Sequence, residues 1–288
     1  MIKARILSFA LALITIEVNA TEDSTKSRIT EAYLLGGSFS SESSVITLSQ
    51  YQSLNPDSKI LQDNFNGFRA TPITKFNSST LFYMGVGYNL KKGSFNPTLR
   101  AGLAIGSGNT IEGGFNKNIT QTIDTLVSPR TGATAYVDST YTENYSFSTR
   151  SDIVQLDISC IWRTRNPNRI TLFGGIGIFA GTSFNVYSTI SHSSNHYIKS
   201  PDKTYSDNHS INDNYKIESE TFKNKNHSTY GLYIPFGLDI KLGKTSSFWK
   251  HFHLVFEGRM RLQKYSFGGL GSEMSTPFNG MSGIRYRF

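Results

Sequence analysis
A single cysteine, Cys160, stands among 288 residues. It excludes an intramolecular disulfide and any cysteine-built zinc cluster. Charge is also scarce, at 17% of the chain, while aromatics reach 13%. That balance excludes a disordered polyelectrolyte. Beyond residue 20 no stretch approaches the ~18 consecutive apolar residues of a membrane helix, which excludes a helical membrane protein. Helix-period patterns are rare as well. What is abundant is Phe (20), Tyr (15) and Gly (25). The chain reads as all-β, either a soluble sandwich or a membrane barrel.

The N-terminus reads as an export address. Lys3 and Arg5 precede an apolar stretch from Ile6 to Ile16, and Val18-Asn19-Ala20 places small or short residues before a cleavage point. This is the pattern of a secretory signal peptide over 1–20, leaving 21–288 as one barrel domain. Lys3, Arg5 and Glu17 give the signal a net +1, so +7 of the chain's +8 remains after it. Those cations scatter over turns, loops and strand ends. Scatter of this kind fits an anionic membrane surface and argues against a nucleic-acid partner.

Period-2 alternation recurs along the rest of the chain. Tyr230, Leu232, Ile234, Phe236, Leu238, Ile240 and Leu242 share one face, opposite Gly231, Tyr233, Pro235, Gly237, Asp239 and Lys241. Successive strand side chains point to opposite faces, so one face is continuously apolar. Similar segments centre on 82–90, 99–105, 154–162, 170–180, 252–262 and 284–288, with a weaker one over 28–40. That makes eight strands. Short polar connections (91–96, 163–168, 243–250) alternate with long ones (41–78, 113–143, 189–227, and a shorter 267–276). An even strand count with tight turns at one end and long loops at the other is the transmembrane-barrel pattern. It predicts periplasmic termini and an outer-membrane location. A ten-strand variant arises if Val45–Tyr51 pairs with the chain before Phe76.

Parity places Arg100, Asp157, Asp239, Lys241, Glu257, Arg259, Arg261, Arg285 and Arg287 on the face opposite the apolar one. In a barrel this is the lumen, where both signs of charge can pair across strands. The opposite faces carry no charge, as lipid contact requires. An eight-stranded lumen is just wide enough for its own side chains, which disfavours a porin.

The final residues, Gly283-Ile284-Arg285-Tyr286-Arg287-Phe288, resemble the C-terminal signature of bacterial outer-membrane β-barrel proteins. Ile284, Tyr286 and Phe288 supply the alternating apolar positions and the terminal aromatic. The resemblance implies recognition by the barrel-assembly machinery. Strand count and loop rhythm resemble the OmpA/OmpX-like eight-stranded class. With no C-terminal peptidoglycan-binding domain after the barrel, the implied role is that of a non-enzymatic surface protein. Its loops would serve envelope integrity, adhesion or another surface interaction. Lipopolysaccharide, outer-membrane lipid and an extracellular ligand are the expected partners, and no cofactor is expected.

One stretch carries a chemical alternative. His192-Ser193-Ser194-Asn195 resembles the His-x-Ser-Asn motif of lipid A 3-O-deacylases, which implies ester hydrolysis by Ser194 with His192 as base and Asn195 beside it. The stretch falls in a loop rich in Ser, Asn and His, and spacing fixes no orienting carboxylate, though Glu218 and Glu220 follow. His192, His196, His209 and His227 share that loop without the fixed tetrahedral spacing of a zinc site. Tyr88, Trp162, Phe248, Trp249 and Tyr286 fit an aromatic girdle at the periplasmic interface.

Overall fold
The computed structural model describes residues 29–40, 44–90, 97–132, 134–164, 169–199, 216–243, 246 and 248–288. The export segment 1–20, the turn 91–96 and His209 lie outside the described residues.

The described residues form one antiparallel sheet of eleven strands. In chain order they are β1 (Ile29–Ser40), β2 (Ser44–Ile46), β3 (Arg69–Asn89), β4 (Thr98–Val127), β5 (Thr134–Arg163), β6 (Ile170–Lys199), β7 (Lys216–Lys223), β8 (Ser228–Lys241), β9 (Phe252–Phe267), β10 (Gly271–Ser275) and β11 (Phe278–Arg287). A short helix, α1 (Leu48–Leu54), and a 3-10 turn, Ile60–Gln62, separate β2 from β3. Pairing runs β1-β11-β9-β8-β6-β5-β4-β3, and β3 pairs again with β1. The sheet therefore closes on itself, and no open edge is left along that circuit. β2, β7 and β10 lie off it: β2 flanks β3, β7 flanks β6 and β10 flanks β9. The expected eight segments all fall on the circuit, and the three additional strands are short.

The two faces differ as lipid and lumen should. Outward Leu232 is 51% exposed and Leu156 67%, whereas the inward neighbour Tyr233 is 1% exposed. Exposed apolar side chains continue around the outside through Leu99, Ile158, Ile178, Phe256 and Ile284. Water would penalise so large an apolar surface; a bilayer solvates it. From Tyr230 to Ile240 the belt on β8 covers about the 9–11 residues that a tilted strand needs to cross. Phe248, Trp249, Phe252, Tyr286 and Phe288 then form a chain of ring contacts at the end bearing the short turns and the last residue.

Two expectations need correction. Segment 113–143 is largely strand rather than loop, and so are residues 189–199 and 216–223 of 189–227: β4 and β5 each run for 30 residues and stay paired from Thr98↔Ile161 to Val127↔Thr134. At roughly 3.3 Å per residue, the hairpin reaches far beyond the apolar belt. The Val45 region does pair with the chain before Phe76, through Ser44↔Lys75 to Ile46↔Ile73, but the chain then turns helical and adds no strand to the circuit. Thr47 caps α1: the Gln50 backbone N–H donates to Thr47 Oγ1 at 3.2 Å and the Thr47 backbone N–H to Gln50 Oε1 at 2.8 Å, a reciprocal capping box. Asn55-Pro56 ends the helix.

A bulge re-phases β6 where the belt ends. Asn185 adopts φ 52°, a left-handed conformation that Asn tolerates. Below it Phe179 and Ser183 face inward; above it Val186, Ser188 and Ile190 do.

Candidate functional site
Inside the belt the lumen is filled by ion pairs in two layers. In the upper layer Glu257 (β9) accepts from Arg100 (β4) at 2.5 and 2.8 Å and from Arg259 Nε at 2.5 Å. Arg259 also donates to Asp157 (β5) at 2.8 Å, and the Tyr233 hydroxyl donates to the other Asp157 oxygen at 2.6 Å. The Arg259 guanidinium lies 4.8 Å from the ring centroids of both Tyr83 and Tyr233. Glycines make room for these rings: a Cβ on Gly102 would stand 2.4 Å from the Tyr83 ring, and one on Gly177 2.3 Å from the Tyr233 ring.

The lower layer sits nearer the short turns. Arg285 (β11) donates to Glu31 (β1) at 2.6 Å and forms a 2.7 Å ion pair with Asp239 (β8). Arg163 donates to Glu31 at 3.0 Å and to Thr98 at 2.8 Å. Tyr33 donates to Glu31, and His253 Nδ1 lies 2.5 Å from Asp239 Oδ1. Above both layers Arg261 donates to Gln155 at 3.3 Å and packs 4.4 Å over the Phe179 ring. With the Asn279 amide oxygen facing it, Arg261 gains two further bonds of 3.0 and 3.1 Å.

Seven charges placed in the lumen by parity (Arg100, Asp157, Asp239, Glu257, Arg259, Arg261 and Arg285) are each 4% exposed or less. Lys241 and Arg287 are not buried there; they sit at strand ends, half-buried and exposed. Glu31 and Arg163 are members that the sequence reading missed, because one lay in its weakest segment and the other was assigned to a turn. Ile284 and Phe288 are exposed and Tyr286 is half-buried.

The mouth at the end away from the short turns is closed by a second device. Segment 44–68 folds into it, burying Tyr51 and Leu61 against Phe147, Ile111, Ile190, Tyr265 and Phe267. Tyr51 stacks on Phe147 with centroids 5.3 Å apart. Three carboxylates tie this cap to the wall. Glu220 (β7) accepts from Ser58 Oγ at 2.5 Å and from the Lys59 backbone N–H at 3.2 Å. Asp63 of the cap accepts from the Tyr145 hydroxyl (β5) at 3.0 Å. Glu273 (β10) accepts from Ser44 Oγ at 2.8 Å and pairs with Lys75 at 2.5 Å. Burial pushes the Tyr145 phenol up, and its bond to the Asp63 carboxylate adds to the rise. Burial alone would raise the Glu273 carboxyl, but the hydrogen bonds from Lys75 and Ser44 and the Lys75 charge hold it below the usual range.

The His-x-Ser-Asn stretch lies on β6, not in a loop. His192 pairs across with Tyr145 and Glu218, and Ser194 with Glu143. The imidazole stacks on Tyr145 at 4.3 Å, and its Nε2 faces Glu143 Oε1 at 3.4 Å. The structure thus supplies a carboxylate, Glu143, that spacing alone could not identify. The strand separates His192 and Ser194 by one residue on one face, and Asn195 points to the other. His196 stands elsewhere, 2.7 Å from Ser139 Oγ. Among the described residues, no group of three or more His, Cys, Asp or Glu side chains is placed to hold a metal ion.

No family model matches the chain, and no curated protein does. Among solved structures, Ail, the attachment invasion locus protein of Yersinia pestis, aligns over 90% of this chain and 99% of its own, with 12% identity and a TM-score of 0.27. The same protein in complex with the heparin analogue sucrose octasulfate gives 11% identity and a TM-score of 0.25 over the same shares. OmpT, an outer membrane protein of Vibrio cholerae, covers 90% of this chain and 97% of its own at 7% identity and a TM-score of 0.14. The closed antiparallel circuit, the apolar exterior and the ion-paired interior are those of a membrane-spanning β-barrel.

Proposed function
We propose that the chain is a non-enzymatic outer-membrane surface protein whose β4–β5 and β6–β7 ribbons engage an extracellular ligand. Eight strands (β1, β3, β4, β5, β6, β8, β9 and β11) span the membrane, as in OmpA/OmpX-like barrels, and the termini face the periplasm. One observation carries this reading: the lumen is filled by the Arg100–Glu257–Arg259–Asp157 network and stoppered by Tyr51 and Leu61, while strand continues well above the belt. A filled lumen has no path for solutes, so activity belongs to what projects. The ribbon offers hydroxyls and exposed apolar side chains, among them Ile119, Tyr136 and Tyr141. Lipopolysaccharide surrounds the belt in this reading, and the assembly machinery reads Ile284, Tyr286 and Phe288.

The test replaces residues 117–143 with a two-residue turn. The barrel should still refold and show a heat-sensitive electrophoretic shift, while cells displaying it lose attachment to host surfaces. Attachment equal to that of the intact chain, at equal surface density, refutes the assignment of function to this ribbon.

A further inference from the structure
His227 sits where the cap's apolar seat meets the connection from β7 to β8. Its backbone is clamped: the N–H donates to Ser183 Oγ at 2.7 Å, and the carbonyl accepts from the Ser183 N–H at 2.7 Å. Its ring Nε2 lies 3.1 Å from Ser151 Oγ, while Nδ1 has no hydrogen-bond partner and no solvent contact. The Tyr265 and Phe267 rings lie 5.2 and 4.8 Å from the imidazole. Those two rings also help seat Tyr51 and Leu61 of the cap. The chain just before His227 is β7, whose Glu220 holds Ser58 and Lys59 of the cap.

We propose that His227 is an acid-responsive release for the cap, protonation of its imidazole driving segment 44–68 out of the barrel mouth. Nothing around the ring welcomes a cation. Ser151 and Ser183 (β5 and β6) and Tyr265 and Phe267 (β9) are neutral. Across the packing, Lys75 of β3 lies 5.5 Å from the Phe267 ring, and it is positive. Glu273 of β10 is engaged by Lys75 itself. On the histidine's own side, Lys225 is exposed and Glu220 is engaged by the cap. Aromatic faces offset only part of the desolvation of an imidazolium. Opening the cap lets water reach the ring and removes the conflict.

Burial holds the imidazole down to about 4, against an ordinary value of about 6.5 once solvated. The open form therefore takes up a proton through a window where the capped form does not. Each unit of pH lost between about 6.5 and 4 favours opening about tenfold, roughly 300-fold in all, and the effect levels off below that window. The Glu273 carboxyl, held below the usual carboxylate range by Lys75 and Ser44, would add a separate response only below this window. Release uncovers an apolar surface that is hidden at neutral pH.

The test is hydrogen exchange on the full chain refolded in detergent micelles, from pH 7.5 to 4.5, corrected for the intrinsic pH dependence. Protection of segment 44–68 should fall about tenfold per unit below pH 6.5, while the β8–β9 ladder stays protected. His227→Gln should flatten the response between pH 6.5 and 5. A flat wild-type profile overturns the proposal. So does a response that persists undiminished in His227→Gln, which assigns release to another group. If that variant does not fold, histidine NMR titration of the wild-type chain decides: His227 titrating near 6.5 with the cap still protected refutes it.

Discussion

Glu257 is the residue on which the upper lumen depends. Its carboxylate accepts from both Arg100 and Arg259, whose side chains are each 1% exposed. Glu257→Gln removes the charge and leaves shape nearly unchanged. Arg259 retains Asp157 at 2.8 Å, but Arg100 then has no carboxylate partner and keeps only neutral ones: the introduced amide oxygen, the Ser159 hydroxyl 3.2 Å from its Nε, and the Tyr33 and Tyr83 rings. Removing one member of a buried pair costs about 3–5 kcal/mol, because the other charge stays desolvated. Charge-assisted bonds to a second arginine place this site toward the upper part of that range. The double change Arg100→Met with Glu257→Leu removes both charges and fills similar volume, so most of the loss should be regained. The assay is urea unfolding of the refolded barrel in lipid vesicles, followed by the electrophoretic shift. A loss below about 1 kcal/mol in Glu257→Gln, or a double variant weaker than the single one, refutes the account of the lumen.

Other outcomes follow from the same geometry. Tyr51→Ala removes a ring fully buried on Phe147 and should cost the cap about 3–5 kcal/mol, read as proteolysis within 44–68 with an intact barrel. Leu232→Arg puts a charge on the lipid face near mid-belt and should cost about 2–4 kcal/mol; Tyr136→Arg, exposed on the ribbon, should stay within about 0.5 kcal/mol by the same unfolding assay. Ser194→Ala should leave lipid A acylation unchanged by mass spectrometry; a change that tracks with loss of this hydroxyl contradicts the non-enzymatic reading.

The barrel wall was legible because lipid imposes a rule on sequence. Every outward residue from Tyr230 to Ile240 is apolar, and its inward neighbours Tyr233 and Asp239 pack in the lumen. The same parity located Arg100, Glu257 and Arg259, though not their partners, since pairing such as Arg285 with Glu31 spans 254 positions. Above the belt that rule lapses. Thr120, Thr140 and Ser139 lie on ribbon strands beyond the lipid belt, so lipid no longer enforces apolar alternation, and the stretch resembles a polar loop. The cap was hidden for another reason. Tyr51, Leu61 and Phe65 follow no period, and their burial depends on Phe147 and Phe267, remote in sequence. The only local trace was the Thr47…Gln50 capping box. Glu143 beside His192 was equally invisible, being fixed by the register of β5 against β6.

The central claim is that this barrel is closed and acts through what projects from it. Planar-bilayer conductance of the refolded chain at neutral pH, after the heat-sensitive shift confirms folding, tests it most directly. The ion-paired lumen and seated cap predict silence at all moderate voltages. Large, stable conductance steps would mean a water-filled lumen and would place the function in the pore.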